Sequence, residues 1–163
     1  MSFTANQKIY VPGHGLGVLK ESKALEGSTD GRRFVVIEIQ ETGIRIMVPE
    51  GSPKAKLLRQ PIEKPQAETV LASLKSTKTS SIDNKTRWHR RHKEQIQTLE
   101  SGNTLEIAAL VKSLASEKAS RNLSFSETKM LVDASLMIKA ELQYALGEDF
   151  LHDPEVQEVL MAA

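Results

Sequence analysis

The sequence predicts an α+β protein of two domains: a small antiparallel β-barrel or sheet at the N-terminus, followed by a compact all-α helical bundle. Apolar residues recur at about every second position over the first 60 residues, and at every third or fourth position after Pro65. Four prolines lie between residues 49 and 65, where this change occurs. We therefore place the first domain at residues 1–61 and the second at residues 66–163, joined by a short, fairly stiff linker.

The first domain is predicted from short β-branched runs that alternate with turns. Ile9 and Val11 indicate a strand before a glycine-rich turn at residues 12–17. After a polar loop at residues 26–32, two β-branched runs within residues 34–48 flank a short turn that contains Gly43. This arrangement is typical of a β-hairpin. A strongly bent antiparallel sheet or barrel is the expected result.

The second domain is predicted from helical periodicity and from capping signals. Helices are expected at residues 66–76 and 84–100, and the second should end at Gly102, which can adopt the left-handed cap conformation. Three further helix starts are predicted from N-capping patterns: Asn103-x-x-Glu106, Ser124-x-x-Glu127 and Asp153-Pro154. The polar residues 73–84 predict a loop before the second helix.

Charge is unevenly distributed, although the net charge is only +1 over 163 residues. Lys and Arg outnumber Asp and Glu by 10 to 7 in residues 1–64 and by 7 to 4 in residues 65–100. Acidic residues lead by 10 to 5 in residues 101–163. This asymmetry predicts a basic docking face rather than a uniformly charged surface.

Composition also excludes several classes of protein. The chain has no cysteine, so it forms neither a disulfide framework nor a thiolate metal site. Its first residues lack the basic and apolar pattern of a secretory signal, and no segment approaches the roughly 18 apolar residues of a membrane span. We expect a cytoplasmic protein with no membrane partner.

The most informative segment is residues 85–93, which hold five Lys or Arg, no acidic residue and the only tryptophan, Trp88. A large flat ring among cations suits a polyanion whose bases or grooves can accept the ring, so the segment predicts nucleic-acid binding. The alternative is that Trp88 anchors the core of the helical bundle. Its helical neighbours Arg91 and His92 are polar, which favours an exposed ring.

Other kinds of site are only weakly indicated. The glycine-rich turn lacks both the dinucleotide spacing and the P-loop ending, and no helix follows it, so a tight turn is favoured over nucleotide binding. His89 and His92 have metal-ligand spacing, but Arg90 and Arg91 would repel a cation. No Ser-His-Asp constellation can be identified. We therefore predict no catalytic residue, no metal site and no cofactor.

Two alternatives to nucleic-acid binding remain. In the first, the protein is an interaction module whose basic helix binds an acidic partner protein. In the second, it is a small enzyme that uses the glycine-rich turn, although no nucleophile, base or metal ligand set accompanies that turn. A salt-sensitive, sequence-tolerant affinity for DNA would argue against the first alternative.

Five short motifs, each weak alone, are specific in their order and spacing. They are Val11-Pro12-Gly13-His14-Gly15-Leu16-Gly17, Gly43-Ile44-Arg45-Ile46-Met47-Val48-Pro49, Trp88-His89-Arg90-Arg91-His92-Lys93, Leu105-Glu106-Ile107-Ala108 and Leu123-Ser124-Phe125-Ser126-Glu127-x-Lys129-Met130-Leu131. Through them, almost the whole chain resembles the CarD/CdnL family of bacterial RNA polymerase-binding transcription regulators.

The resemblance implies a Tudor-like first domain, residues 1–61, that binds the RNA polymerase β subunit. The polymerase contacts it implies are Ile37, Arg45, Met47 and Pro49. It also implies a non-enzymatic monomer, found in the cytoplasm and associated with the nucleoid through RNA polymerase.

For the helical domain, the resemblance implies binding to promoter DNA at the upstream edge of the melted region. Trp88 would wedge into the minor groove there and keep the strands from re-annealing, which stabilises the open promoter complex. The DNA-binding residues expected on this basis are Trp88, Arg87, Arg90, Arg91 and Lys93.

The chain departs from the family pattern at three positions. Val11 stands where tyrosine often precedes the proline of the first motif, and Tyr10 lies one position earlier. His92 stands where tyrosine is common, which predicts a weakly pH-dependent affinity for DNA. Position 47 is Met, as in the CdnL-like branch, so a more apolar polymerase contact is expected.

Overall fold

The structure is a computed structural model that describes residues 4–24, 29, 31–75 and 88–160. It divides into two compact units, Met1–Pro61 and Ile62–Ala163. The first unit contains an antiparallel sheet and the second unit is helical. The predicted α+β class with two parts is therefore confirmed.

The first unit is built on a four-stranded antiparallel sheet with the order β1-β2-β3-β4. The strands are β1 (Lys8–Val11), β2 (Gly15–Ala24), β3 (Arg33–Ile39) and β4 (Arg45–Pro49). β3 and β4 form the hairpin that the β-branched runs predict. A short helix that was not predicted, α1 (Pro53–Leu57), follows β4 and starts at its N-cap Ser52. Because β4 is the last strand in this order, it lies at an edge of the sheet.

The glycine-rich motif is a tight turn between β1 and β2, as the sequence predicts. Its last glycine, Gly17, lies in β2 against β3. A Cβ atom at this position would lie 2.7 Å from Cγ2 of Ile37 and 2.9 Å from the carbonyl oxygen of Glu38. Only glycine allows so close an approach of the two strands. This glycine therefore serves strand packing.

The helical unit contains five α-helices among the described residues. They are α2 (Lys64–Lys75), α3 (Trp88–Ser101), α4 (Thr104–Ser120), α5 (Phe125–Leu146) and α6 (Pro154–Leu160), with a 3₁₀ turn at Asp149–His152 before α6. Their shared core is apolar and includes Val70, Ile107, Leu114, Leu131 and Ile138. The 3₁₀ turn was not predicted.

The capping predictions are confirmed. The side-chain oxygen of Asn103 accepts hydrogen bonds from the amides of Leu105 and Glu106. Ser124 and Glu127 form a complete capping box at the start of α5. Helix α3 ends before Gly102, which has a φ of 71°. The sequence predicts these caps because each cap residue bonds to free backbone groups only two or three positions away.

The segment between the units is shorter than predicted. α2 begins at Lys64 rather than at residue 66, and Pro65 occupies its first turn, where the missing N–H costs nothing. The amide of Ile62 donates a hydrogen bond to Oε1 of Glu141 at 2.9 Å. The predicted helix at residues 66–76 and the predicted loop at residues 73–84 overlap, and residues 73–75 belong to α2. The remainder of the predicted loop lies outside the described residues.

One buried carboxylate joins three parts of the helical unit. Glu141 of α5 is completely buried. While Oε1 accepts the bond from Ile62, Oε2 accepts a bond from the hydroxyl of Thr104, the first residue of α4, at 2.9 Å. A buried polar group needs such partners, since leaving a buried acceptor unpaired costs about 1–3 kcal/mol or more. Glu141 thereby fixes where α4 begins and where the chain enters α2.

Candidate functional site

Helix α3 carries the basic segment for which the sequence predicts nucleic-acid binding. Three of the predicted DNA contacts, Arg90, Arg91 and Lys93, belong to the described part of the chain. Arg87 and the side chains of Trp88 and His89 lie outside it. The geometry of the site is therefore built from the first two turns of α3 and from the helices that pack against them.

The basic residues of α3 point in two directions. The side chain of Arg90 is 76% exposed and forms a surface ion pair with Glu94 at 3.3 Å, one turn away. Lys93 is also exposed. Arg91, about 100° further round the helix from Arg90, is turned towards α4, and its side chain is only 13% exposed. Of the predicted contacts, Arg90 and Lys93 face solvent, whereas Arg91 faces the bundle.

Arg91 is held by Glu117 near the end of α4. Its guanidinium forms a charge-assisted ion pair with Oε1 of Glu117, whose side chain is 18% exposed. Such pairs are among the stronger hydrogen bonds in proteins, and partial burial protects them from screening by salt. The pair connects α3 to α4 at the basic end of α3.

The same carboxylate continues into a second arginine. Oε2 of Glu117 accepts a bond from Arg121 at 2.6 Å, and the guanidinium of Arg121 also donates to both carboxylate oxygens of Glu127, at 2.9 and 3.1 Å. Glu127 lies in the capping box of α5. The chain Arg91–Glu117–Arg121–Glu127, which we call the arginine–glutamate chain, therefore links the starts of α3 and α5 through the end of α4.

Hydrogen bonding between Arg121 and Glu127 favours the ionised forms of these two side chains. The Arg121 guanidinium, aided by the amide and hydroxyl of Ser124, lowers the pKa of Glu127 to about 2. The pKa of Arg121 is raised in turn, mainly by its hydrogen bonds to Glu127. Glu127 is thus charged and paired, and the side chains of Glu117 and Glu127, with exposures of 18% and 6%, face arginines.

A cleft of about 340 Å³ lies between α3 and α4. Glu94 and Glu106 line it together with Arg91 and Gln95. The two exposed carboxylates at the rim disfavour binding of a phosphate, since like charges repel. This cleft is therefore a poor site for a phosphate.

In the first unit, edge strand β4 presents a mixed apolar and basic surface. Arg45, Met47 and Pro49 alternate along the strand and are exposed, Met47 to 43%. Arg45 forms an ion pair with Glu38 of β3 at 3.2 Å. Ile44, directly before the strand, is 56% exposed and was not among the predicted contacts.

Ile37 must be removed from the predicted surface. Its side chain has 0% exposure and belongs to the core of the first unit. It pairs across the sheet with Ile46, whereas Met47 pairs with Val36. Because side chains alternate between the two faces of a sheet, Ile37 faces away from Arg45, Met47 and Pro49. It can support β4 from beneath but cannot contact a partner.

Within the described ranges, no group of three or more His, Asp or Glu side chains is arranged to hold a metal ion. Among the same residues, none of the helices has the length and apolar character needed to cross a membrane.

Comparison with known proteins gives the class of protein. Residues 69–158 match the family described as CarD, C-terminal domain. The chain is also 25% identical over 149 residues to a protein of Bacillus subtilis (strain 168) named "Putative transcription factor YdeB", an alignment that covers 89% of this chain and 93% of that protein. Together these similarities support a transcription regulator. The family match spans more than half of the chain, and the chain belongs to the CarD family.

Arg91→Ala should lower the free energy of unfolding of the helical unit by about 1–3 kcal/mol, because it removes a partly buried ion pair and leaves Glu117 with one partner fewer. Arg90→Ala is the matched control, since its exposed pair with Glu94 contributes about 0.5 kcal/mol or less. Urea denaturation followed by the helical circular dichroism signal measures both. Equal stability of the two variants would contradict an anchoring role for Arg91.

The arginine–glutamate chain should also give a pH dependence. The pKa of Glu127 is about 2 in the folded protein and about 4.3 in an unfolded chain. Between these values only the unfolded state binds the proton, so the stabilisation by Glu127 is complete above about pH 5 and is lost as the pH falls towards 2. The difference in unfolding free energy between the parent and Glu127→Gln should therefore shrink on acidification. A difference that stays constant from pH 5 to low pH would refute the pairing.

Proposed function

We propose that the protein is a non-enzymatic regulator that bridges the RNA polymerase β subunit and promoter DNA and stabilises the open promoter complex. The first unit would bind the β subunit, and the helical unit would bind DNA at the upstream edge of the melted region. The observation that carries this proposal is the orientation of α3. Its exposed side offers Arg90 and Lys93 to solvent, while ion pairing holds its other side against α4.

On the DNA side, the chemistry is neutralisation of phosphates. Each cation that contacts a phosphate releases about one condensed counterion, which favours binding irrespective of base sequence. Arg90 can leave its weak surface pair with Glu94 for a phosphate at little cost. Arg91 would act as a positioning residue rather than as a phosphate contact, because Glu117 already engages its charge.

Trp88 begins the same helix and is proposed to act at the edge of the melted region. Opening a base step costs a few kcal/mol in lost stacking, and an apolar wedge in the minor groove offsets part of that cost. A ring held in the opened step also occupies the space that the partner strand needs to re-anneal. Cations one turn along the helix would hold the adjacent backbone in place.

On the polymerase side, edge strand β4 is the proposed contact. An edge strand can pair with a strand of another protein, so that main-chain hydrogen bonds supply affinity and alternate side chains supply specificity. Arg45, Met47 and Pro49 lie on one face of β4, and Ile44, directly before the strand, is also exposed. We propose the interface without Ile37, which is buried.

The DNA contact is tested by salt dependence. Arg90→Ala and Lys93→Ala should each lower the slope of log affinity against log salt by roughly one unit on any duplex. Arg91→Ala should leave the slope nearly unchanged because its charge is engaged by Glu117. Lys54→Ala, an exposed lysine of the first unit, is the control and should also leave the slope unchanged. If Arg90→Ala and Lys93→Ala keep the parent slope, the exposed side of α3 does not bind phosphates, and an acidic protein becomes the better partner.

The polymerase contact is tested by Met47→Asp. A carboxylate at this exposed position should weaken binding to the isolated β-subunit lobe at least tenfold, because the charge would lose its water at the interface. The fold should be retained, since the side chain lies outside the core. Leu57→Asp, at a comparably exposed apolar position in α1, is the control. Parent-like binding by Met47→Asp with normal circular dichroism would move the interface away from β4.

A further inference from the structure

The cleft between α3 and α4 contains a buried polar group that the proposed function does not use. Gln95 is only 5% exposed, and its side chain lines the cleft. Its amide nitrogen Nε2 is buried and has no hydrogen-bond partner among the described residues. Buried donors without an acceptor are unfavourable, and native proteins contain few of them. The amide of Gln95 is therefore available to a molecule that enters the cleft.

A second donor lies on the same face of α3. Arg91 is one helical turn before Gln95 and also lines the cleft. Its ion pair with Glu117 uses the terminal nitrogen Nη2, while the buried Nε has no partner in the described part of the chain. A guanidinium offers only donors, so both groups need an oxygen acceptor. Carboxylate oxygens form the strongest hydrogen bonds with a guanidinium, so this part of the cleft suits the carboxylate of a ligand.

The rim of the cleft has the opposite charge. Glu94 and Glu106 are exposed there, and Glu94 has a surface pair with Arg90 that contributes little. Two neighbouring carboxylates attract a cationic group of a ligand. Ala109 and Leu110 of α4 add an apolar wall, which can pack against methylene groups. The cleft therefore combines buried donors, an apolar wall and an anionic rim.

We propose that this cleft binds a basic amino acid, either free or as the C-terminal residue of a peptide. The ligand carboxylate accepts hydrogen bonds from Arg91 and from Gln95, whose terminal amide turns into the cleft for this contact. The methylene chain lies along the apolar wall, and the side-chain cation lies at the anionic rim. A volume of about 340 Å³ falls within the range of about 300–1,000 Å³ that is typical of ligand pockets. This site does not depend on the bridging function proposed above.

L-lysine is the first probe, added to the ¹⁵N-labelled full chain. It should shift the side-chain N–H signals of Gln95 and Arg91, because each gains an acceptor. Half-saturation is expected at roughly 1 mM for a ligand of about ten non-hydrogen atoms. L-lysinamide, which lacks the carboxylate, should bind about tenfold more weakly or less. Nα-acetyl-L-lysine represents the C-terminal residue of a peptide: binding as tight as that of L-lysine assigns the site to peptides, and much weaker binding assigns it to the free amino acid. If neither carboxylate-bearing probe shifts these signals, the proposal is overturned.

Variants of the cleft complete the test. Gln95→Leu removes the amide at similar volume, so its affinity for L-lysine should fall about tenfold or more, while its melting temperature stays equal to that of the parent or rises. Glu106→Gln should weaken the binding of L-lysine about threefold, because it removes one rim charge. Glu100→Gln is the matched control, since Glu100 is exposed on α3 but does not line the cleft, and it should bind like the parent. Parent-like affinity of Gln95→Leu would overturn the site, and so would a clear fall in its melting temperature, which would show that the amide already has a partner.

Discussion

The ion pair between Arg91 and Glu117 is the contact on which the basic end of the helical unit depends. From Arg90 to the end of α3, Gln95 is the one residue that is fully buried, and Leu99 is only partly buried. Most helices in proteins are stabilised by an apolar face packed against a core. Because α3 buries so little apolar surface, the ion pair between Arg91 and Glu117 contributes much to fixing its orientation.

Arg90 and Arg91, which are adjacent in the sequence, therefore have different roles. Arg91 faces inward and sets the rotation of α3 about its own axis, and that rotation turns Arg90 and Lys93 outward. Partly buried ion pairs add little net stability compared with apolar packing, but they favour one geometry over others. Glu117 gains further restraint from Arg121, which the capping box of α5 also holds. Local capping chemistry at one helix is thus coupled to the orientation of another.

The parts of this structure that the sequence predicts are those with local causes. The α5 capping box and the hairpin of β3 and β4 follow from residues within a few positions of each other. Arg91 gave no such signal, because its partner Glu117 lies 26 positions away and only folding brings them together. Ile37 was assigned to the exposed surface, but it is buried. The alternation of side chains along β3 and the pairing of Ile37 with Ile46 determine which face of the sheet it occupies. The five-residue helix α1 is too short to show a helical period.

We propose that Trp88 acts at the melted promoter DNA, and the lifetime of the open complex with Trp88→Ala tests this proposal most directly. The lifetime is measured with RNA polymerase after addition of a competitor, alongside a denaturation curve of the variant. We predict a much shorter lifetime, retained polymerase binding and a small loss of stability. A parent-like lifetime would contradict it, and so would a loss of about 3–5 kcal/mol, which is typical of a core aromatic residue.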